Sequence, residues 1–195
     1  MKKTILAELI VLFWIPVLAS AASWEIDPAH STIEFKIRHL MVSNVKGTFQ
    51  KVKGLSTFED QNITDLKVEV TIEAASINTG NARRDDHLRN VDFFDVAKYP
   101  TITFISKRVV KSGTNKLNVI GDLTIHGVTR EVGVEVEGLT TEIRDPQGRF
   151  RRGATGTTRI SRKDFGLTWN RVIEAGGLMV GDDVDISVEV ELIRK

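Results

Sequence analysis

The chain has four histidines and no cysteine, which limits the chemistry that its side chains could carry. The histidines are His30, His39, His87 and His126. No two of them are spaced as H-E-x-x-H or H-x-x-x-H, so the sequence contains no local pair of metal ligands. The lack of cysteine excludes thiol nucleophiles, iron–sulfur clusters, covalently attached c-type haem and thiolate zinc sites. We therefore predict no bound metal and no cofactor, although separate histidines could still converge in space.

Motifs of nucleophilic and acid–base catalysis are likewise missing from the sequence. No Gly-x-Ser-x-Gly motif is present. The acidic pairs Asp85-Asp86 and Asp182-Asp183 fall in predicted turns, where solvated or helix-capping carboxylates are common. We therefore predict that the protein is not an enzyme. A metal-dependent hydrolase is the weaker alternative, and it would require His39 or His87 for its activity.

The histidines and arginines suit the binding of a ligand better than catalysis. A neutral imidazole both donates and accepts a hydrogen bond, so His39 and His87 could orient a polar headgroup or a quinone oxygen. Arg83-Arg84, Arg89 and the basic run 149–152 could pair with a pyrophosphate or with an anionic lipid headgroup. Neighbouring acidic residues could equally make these runs ordinary solvated faces.

Aromatic residues give the more informative pattern. Rigid apolar rings suit the lining of a long pocket. The same rings could instead fill a solid core, as side chains do in most small barrels. The residues concerned are Phe35, Phe49, Phe58, Phe93, Phe94, Phe104, Phe165 and Trp169.

The elements that must position these residues are predicted to be strands. Apolar and polar residues alternate with a period of two over residues 31–38, 66–73, 101–106, 117–125, 132–136 and 186–192. Clean alternation is typical of antiparallel strands with one solvated and one covered face. About eight such strands fit the chain, and they could form either a two-sheet sandwich or a closed barrel.

Short breaks separate the predicted strands. Residues 83–91 could form a short helix after Asn81, and residues 162–167 a second short turn. The segment 145–148, with the sequence D-P-Q-G, suits a type I turn, and His126-Gly127 suits a hairpin. The chain is therefore predicted to be all-β, with one or two short helices.

The N-terminus has the features of a secretory signal peptide. Lys2 and Lys3 precede an apolar run over residues 5–18, which is followed by small residues. This pattern predicts cleavage after Ala21. The run is shorter than the roughly 20 apolar residues that a membrane span needs. Glu8 departs from the pattern, because it places a charge inside the apolar run.

Removal of residues 1–21 would leave residues 22–195 as a single domain, exported to the periplasm. A domain of this size buries enough surface to be stable without disulfides. The whole chain has 27 basic and 26 acidic residues. The predicted signal peptide contains two lysines and one glutamate, so the remaining domain is formally neutral. The charge therefore gives no argument for binding nucleic acid.

The chain resembles the YceI-like family in several stretches that occur in the family's order. The most specific is 81–109, where His87 and Leu88 precede the block D-F-F-D and a Tyr-Pro turn. The others are 27–31 with 35–41, 123–130, 161–170 and 181–184. This resemblance favours the closed barrel over the sandwich and implies a lipocalin-like, antiparallel fold of about eight strands.

The resemblance further implies that the barrel holds one long lipid of isoprenoid, quinone or fatty-acyl type, for transport, storage or sequestration. Contact with a membrane surface and pairing into a homodimer are also left open. The alternative is a non-catalytic stress-response or interaction module whose barrel is filled. The residues expected to bind the lipid are Phe35, Ile37, His39, Phe49, Phe58, His87, Phe93, Phe94, Phe104, Ile125, Trp169 and Asn170.

Overall fold

The computed structural model describes residues 21–59, 62–172 and 177–195. Apart from its last residue, the predicted signal peptide lies outside these ranges. The described residues form twelve strands and one α-helix, α1 (Ala82–Arg89). The strands are β1 (Ala22–Ile26), β2 (Thr32–His39), β3 (Ser43–Phe49), β4 (Val52–Glu59), β5 (Asn62–Glu73), β6 (Ile77–Asn78), β7 (Thr101–Gly113), β8 (Lys116–Ile125), β9 (Val128–Glu137), β10 (Ile143–Arg144), β11 (Phe150–Ser161) and β12 (Val180–Arg194).

Eight antiparallel strands close into a barrel. Hydrogen bonds join β11, β9, β8, β7, β5, β4, β1 and β12 in that order, and β12 pairs again with β11. Strand β2 pairs with the part of β12 that lies before the segment paired with β1, and β2 forms a hairpin with β3. The prediction of an all-β, eight-stranded barrel is confirmed. The sandwich alternative is wrong, because the ring of pairings leaves no two separate sheets.

Local sequence explains the turns and the helix. His126 and Gly127 take φ values of 51° and 73°, the left-handed pair that a tight β8–β9 hairpin requires. The Gly148 amide donates to the Asp145 carbonyl at 2.9 Å, as in the predicted turn. The helix begins where the Asn81 side chain accepts from the Arg84 amide at 3.1 Å. It ends at Arg89, two residues before the predicted end.

Strands β3, β4 and β11 carry no clean alternation and were not predicted. In β11 the positions that reach the barrel interior include Ala154, Gly156 and Thr158, followed by Ile160. Because the first three of these residues are small or polar, the strand has no succession of large apolar residues by which alternation is recognised. A short 3₁₀ turn, Arg162–Phe165, follows β11 where the second turn was predicted. No helix in the described residues is both long and apolar enough to cross a membrane.

The two ends of the barrel differ. One end, here called the floor, is closed by Trp24 and Phe58, whose rings stack with centroids 5.8 Å apart. The Arg152 guanidinium lies over both rings, at 5.1 Å and 5.4 Å from their centroids. The opposite end, here called the mouth, carries α1, the β2–β3 turn and the start of β12. The register places His39 opposite Val180 there, whereas Trp24 faces Arg194 at the floor.

Arg151 organises a cluster of carboxylates beside the floor. Its guanidinium donates to Asp27 at 2.8 Å, to Asp145 at 2.6 Å and also to Glu191. The hydrogen bond from Arg151 to Asp27, together with one from His30, lowers the pKa of Asp27 to about 2. Arg151 likewise lowers the pKa of Asp145 to about 2. The cluster joins β11, β12 and the loop before β11.

The lowered pKa values predict an acid-dependent loss of stability. The pKa values of Asp27 and Asp145 are lower in the folded chain than their ordinary value of 3.8. The two carboxylates therefore stabilise the folded state above that pH, and this stabilisation is lost as the pH falls towards 2. Asp27→Asn should lower the melting temperature at neutral pH and make its further fall in acid shallower. Thermal melts across this pH range measure the melting temperature of both proteins, with Asp183→Asn as an exposed control. A variant curve parallel to that of the wild type would contradict it.

Candidate ligand-binding cavity

The barrel encloses a cavity of about 450 Å³ whose wall is almost entirely apolar. This volume lies within the range of small-molecule sites, about 300–1,000 Å³. Inward-facing residues such as Val132, Val136 and Val188 are only half-buried, although they line the interior. In a close-packed core such side chains would be covered by their neighbours. Their remaining exposed surface faces the cavity, so the barrel is hollow and not filled.

Eleven of the twelve residues expected to bind the lipid line this cavity. They are Phe35, Ile37, His39, Phe49, Phe58, His87, Phe93, Phe94, Phe104, Ile125 and Trp169. Asn170 does not line it. The Asn170 side chain donates to the Val180 carbonyl at 2.7 Å and accepts from the Val180 amide at 3.1 Å. The side-chain amide of Asn170 therefore joins the segment after the 3₁₀ turn to the start of β12.

Most of the aliphatic wall was not predicted, because the residues expected to bind the lipid included only two aliphatic ones, Ile37 and Ile125. These side chains lie on the covered face of strands whose alternation was recognised, so the same signal could have identified them. They include Val68, Val70, Leu117, Val119, Leu123, Val132, Val134, Val136, Ile186, Val188, Val190 and Leu192. The aliphatic residues make the middle of the cavity uniformly apolar.

Arg162 is a buried cation that sequence reasoning also missed. Its side chain is nearly inaccessible, and burial lowers the pKa of its guanidinium from the ordinary value. The guanidinium donates to the carbonyls of Leu167, of Trp169 at 2.9 Å and of Gly181 at 2.7 Å. It also pairs with Asp182 at 3.3 Å. Arg162 thereby holds the chain segment that carries Trp169 against the mouth.

Three rings pack together at the mouth. The Trp169 centroid lies 4.9 Å from that of His87 and 5.1 Å from that of Phe93. His87 and Phe93 meet edge to face at 5.0 Å. The Nε2 atom of His87 lies 2.9 Å from an Asp92 carboxylate oxygen, which fixes the orientation of the imidazole. These contacts bring helix α1, the loop after it and the segment after β11 to one side of the opening.

A basic recess of about 430 Å³ adjoins the cavity at this point. It is lined by Asn81, Arg83, Arg84, His87, Trp169 and Arg171, of which Arg84, His87 and Trp169 also line the main cavity. Arg84 is fixed by hydrogen bonds to the Thr79 hydroxyl at 2.7 Å and the Thr79 carbonyl at 2.9 Å. Among the described residues, no carboxylate lines the recess. Three guanidinium groups therefore surround a space that opens from an apolar cavity, which favours an anion there.

The described residues contain one group of three side chains close enough to share a metal ion. Ligand atoms of Asp27, His30 and Glu191 lie within 4.8 Å of one another. The Arg151 guanidinium already binds both carboxylates. The group lies beside the floor, outside the cavity, and includes neither His39 nor His87. It therefore lends no support to the hydrolase alternative.

The closed antiparallel barrel with its hollow, apolar interior has the architecture of lipocalin-like barrels. The YceI-like domain matches residues 24–192, and the chain belongs to that family. A UPF0312 protein of Vibrio campbellii is 42% identical over 198 residues, covering 100% of both chains. The resemblance seen in the sequence is confirmed.

Solved structures share the same fold. BcnA of Burkholderia cenocepacia has a TM-score of 0.72 at 26% identity, covering 85% of this chain and 98% of BcnA. A polyisoprenoid-binding domain from Saccharophagus degradans has a TM-score of 0.64 at 16% identity, covering 88% of this chain and 98% of that domain. At the latter identity the similarity demonstrates the fold alone.

Proposed function

We propose that the chain is an exported protein that encloses one long amphiphilic lipid, of isoprenoid or quinone type, and does no chemistry on it. The observation that carries this proposal is the hollow apolar interior, which opens at a basic mouth. The polyisoprenoid-binding domain of Saccharophagus degradans, with the same fold, is consistent with it. Such a protein would transport, store or sequester its lipid.

Affinity would come mainly from the tail. Each buried methylene contributes about 0.8 kcal/mol before the cost of association and of ordering the chain. Among the described residues, the wall from Phe35 near the mouth to Phe58 at the floor offers no charged group to the middle of the tail. The lipid would therefore enter tail first, with its polar end left at the mouth.

Tryptophan fluorescence tests this proposal. Trp169 lines the mouth, whereas Trp24 is buried at the floor. Titration with a polyprenyl phosphate, a quinone or a long-chain fatty acid should give a saturable change in emission with at least one of them. Trp169→Phe should remove most of that change. The absence of any saturable change with all three ligands would contradict lipid binding.

The basic recess favours an anionic headgroup over a neutral one. Arg83 and Arg171 line the recess and form no ion pair with any described residue, so both could pair with a phosphate. Arg84 is held by Thr79 and would present its charge from a fixed position. Charge-assisted hydrogen bonds from arginine to phosphate are shorter and stronger than neutral ones.

Replacing Arg83 and Arg171 together by glutamine is expected to weaken binding of a polyprenyl phosphate about tenfold, as the loss of roughly 1.5 kcal/mol implies. Binding of a neutral quinone should change little. The fluorescence titration measures both affinities. Lys53→Gln with Lys67→Gln, on the outer face of β4 and β5, provides a charge-matched control. Equal affinity of the arginine variant and the wild type for the phosphate would contradict this headgroup position.

The competing function, an interaction module with a filled barrel, is disfavoured by the cavity. It predicts a protein that takes up no lipid under any condition. Export to the periplasm and pairing into a homodimer stay predictions of the sequence. Mass determination of the secreted chain and light scattering would test them.

A further inference from the structure

The turn between β2 and β3 exposes apolar residues in an unfavourable backbone conformation. Leu40 and Met41 have φ values of 50° and 60°, a left-handed pair for which asparagine and glycine are preferred. Side chains with a Cβ carry a steric cost in this region. Met41 is 56% exposed and Val42, which follows it, is 77% exposed. Packing of the barrel gives no reason for this choice of residues.

A pair of exposed apolar residues lies beside this turn. Val172 and Leu178 pair as an antiparallel bridge, and both side chains are exposed. The Leu40 amide donates to the Met179 carbonyl at 2.8 Å, which joins the β2–β3 turn to the residue after Leu178. His39 and Met179, their neighbours in the chain, line the cavity. We call Met41, Val42, Val172 and Leu178 the apolar rim, because they lie at the mouth and face solvent.

Arginines accompany the apolar rim. Arg38 donates to the Met41 carbonyl at 3.0 Å, and Arg171 directly precedes Val172. Neither arginine has an acidic partner among the described residues. Asp182, at the start of β12, is already bound by Arg162 and by Lys163. Exposed apolar side chains accompanied by cations match the interface of a bilayer that contains anionic lipids.

We propose that the apolar rim and its arginines dock the mouth onto an anionic bilayer surface. This inference rests on the proposed lipid binding, because a lipid that moves between membrane and barrel must pass the mouth. Insertion of the rim between headgroups would cover the gap in which an apolar tail would otherwise meet water. The same contact would place Arg38 and Arg171 at the level of the lipid phosphates.

Flotation with vesicles tests the docking. The wild type and a Met41→Ser, Val42→Ser variant are exported, purified from the periplasm without detergent and shown by mass to begin at the same residue. They are then mixed with phosphatidylcholine vesicles with or without phosphatidylglycerol. The wild type should float with the anionic vesicles, and the variant should bind at least about fivefold less. Added salt should weaken the wild-type binding.

A matched control replaces two exposed apolar residues of the floor half, Val110→Ser with Ile143→Ser. Val110 is 49% exposed and Ile143 is 62% exposed, and this variant should float like the wild type. Fluorescence titration with a polyprenyl phosphate below its micelle concentration should give equal affinities for all three proteins. Docking is overturned if the wild type does not float, if the rim variant floats equally well, or if the rim variant also loses lipid affinity. The last outcome would place Met41 and Val42 in the lipid site itself, with lipid binding by the wild type still intact.

Discussion

Phe104→Asp is expected to abolish lipid loading. Phe104 lies in the wall of the cavity, and its ring passes so close to Gly121 that a Cβ there would lie 2.8 Å from the Phe104 Cζ atom. A carboxylate in this position would have to lose its hydration when an apolar tail enters, at a cost of several kcal/mol. This cost corresponds to a loss of affinity of about a hundredfold or more.

The neighbouring residue provides a matched control. Ile105 is 53% exposed on the outer face of β7, so Ile105→Asp introduces the same charge outside the cavity. Extraction of bound lipid from both variants, purified without detergent, measures loading, and near-ultraviolet circular dichroism establishes that both are folded. Normal lipid content in a folded Phe104→Asp variant would remove Phe104 from the binding site.

Val188→Trp is expected to block the cavity without unfolding the barrel. Val188 lines the interior and is only half-buried, so its side chain borders the cavity into which a larger ring could extend. Added volume usually destabilises a close-packed core by about 1–3 kcal/mol. Here the indole would enter empty space, so lipid loading should fall at least about tenfold while the melting temperature stays close to that of the wild type.

Glu189→Trp tests whether the effect depends on the side of the strand. Glu189 is exposed on the outer face of β12, and its replacement adds a tryptophan on the same strand without entering the cavity. Its lipid content should equal that of the wild type. A strong loss of stability in Val188→Trp would indicate a filled interior, and undiminished loading would place the lipid elsewhere.

The alternation in β2, β5, β8, β9 and β12 was sufficient to predict antiparallel strands, because each has one apolar and one polar face. It could not distinguish a barrel from a sandwich, since closure depends on which distant strands pair. The pairing of Ile160 with Val184, for example, joins β11 to β12 and has no local signal in β11. The family resemblance supplied that information.

The candidate site was predictable where it depends on inward-facing rings such as Phe35 and Phe104. The anchoring of the mouth was not predictable, because it depends on contacts between residues far apart in the chain. An arginine in a predicted turn, such as Arg162, would be expected at the surface. The structure instead buries it and has it donate to the Gly181 carbonyl. Asn170 looked like a ligand-binding amide, but Val180 occupies both of its polar atoms. The basic recess similarly needs Arg83 and Arg171 to meet across the mouth.

Native mass spectrometry of the protein, exported to the periplasm and purified without detergent, tests the central claim most directly. We expect a mass excess of one lipid per chain, which moves into the organic phase on solvent extraction. We also expect that chains stripped of lipid take up one polyprenyl phosphate or quinone when it is added back. A bare polypeptide mass that stays unchanged after both additions would contradict the account.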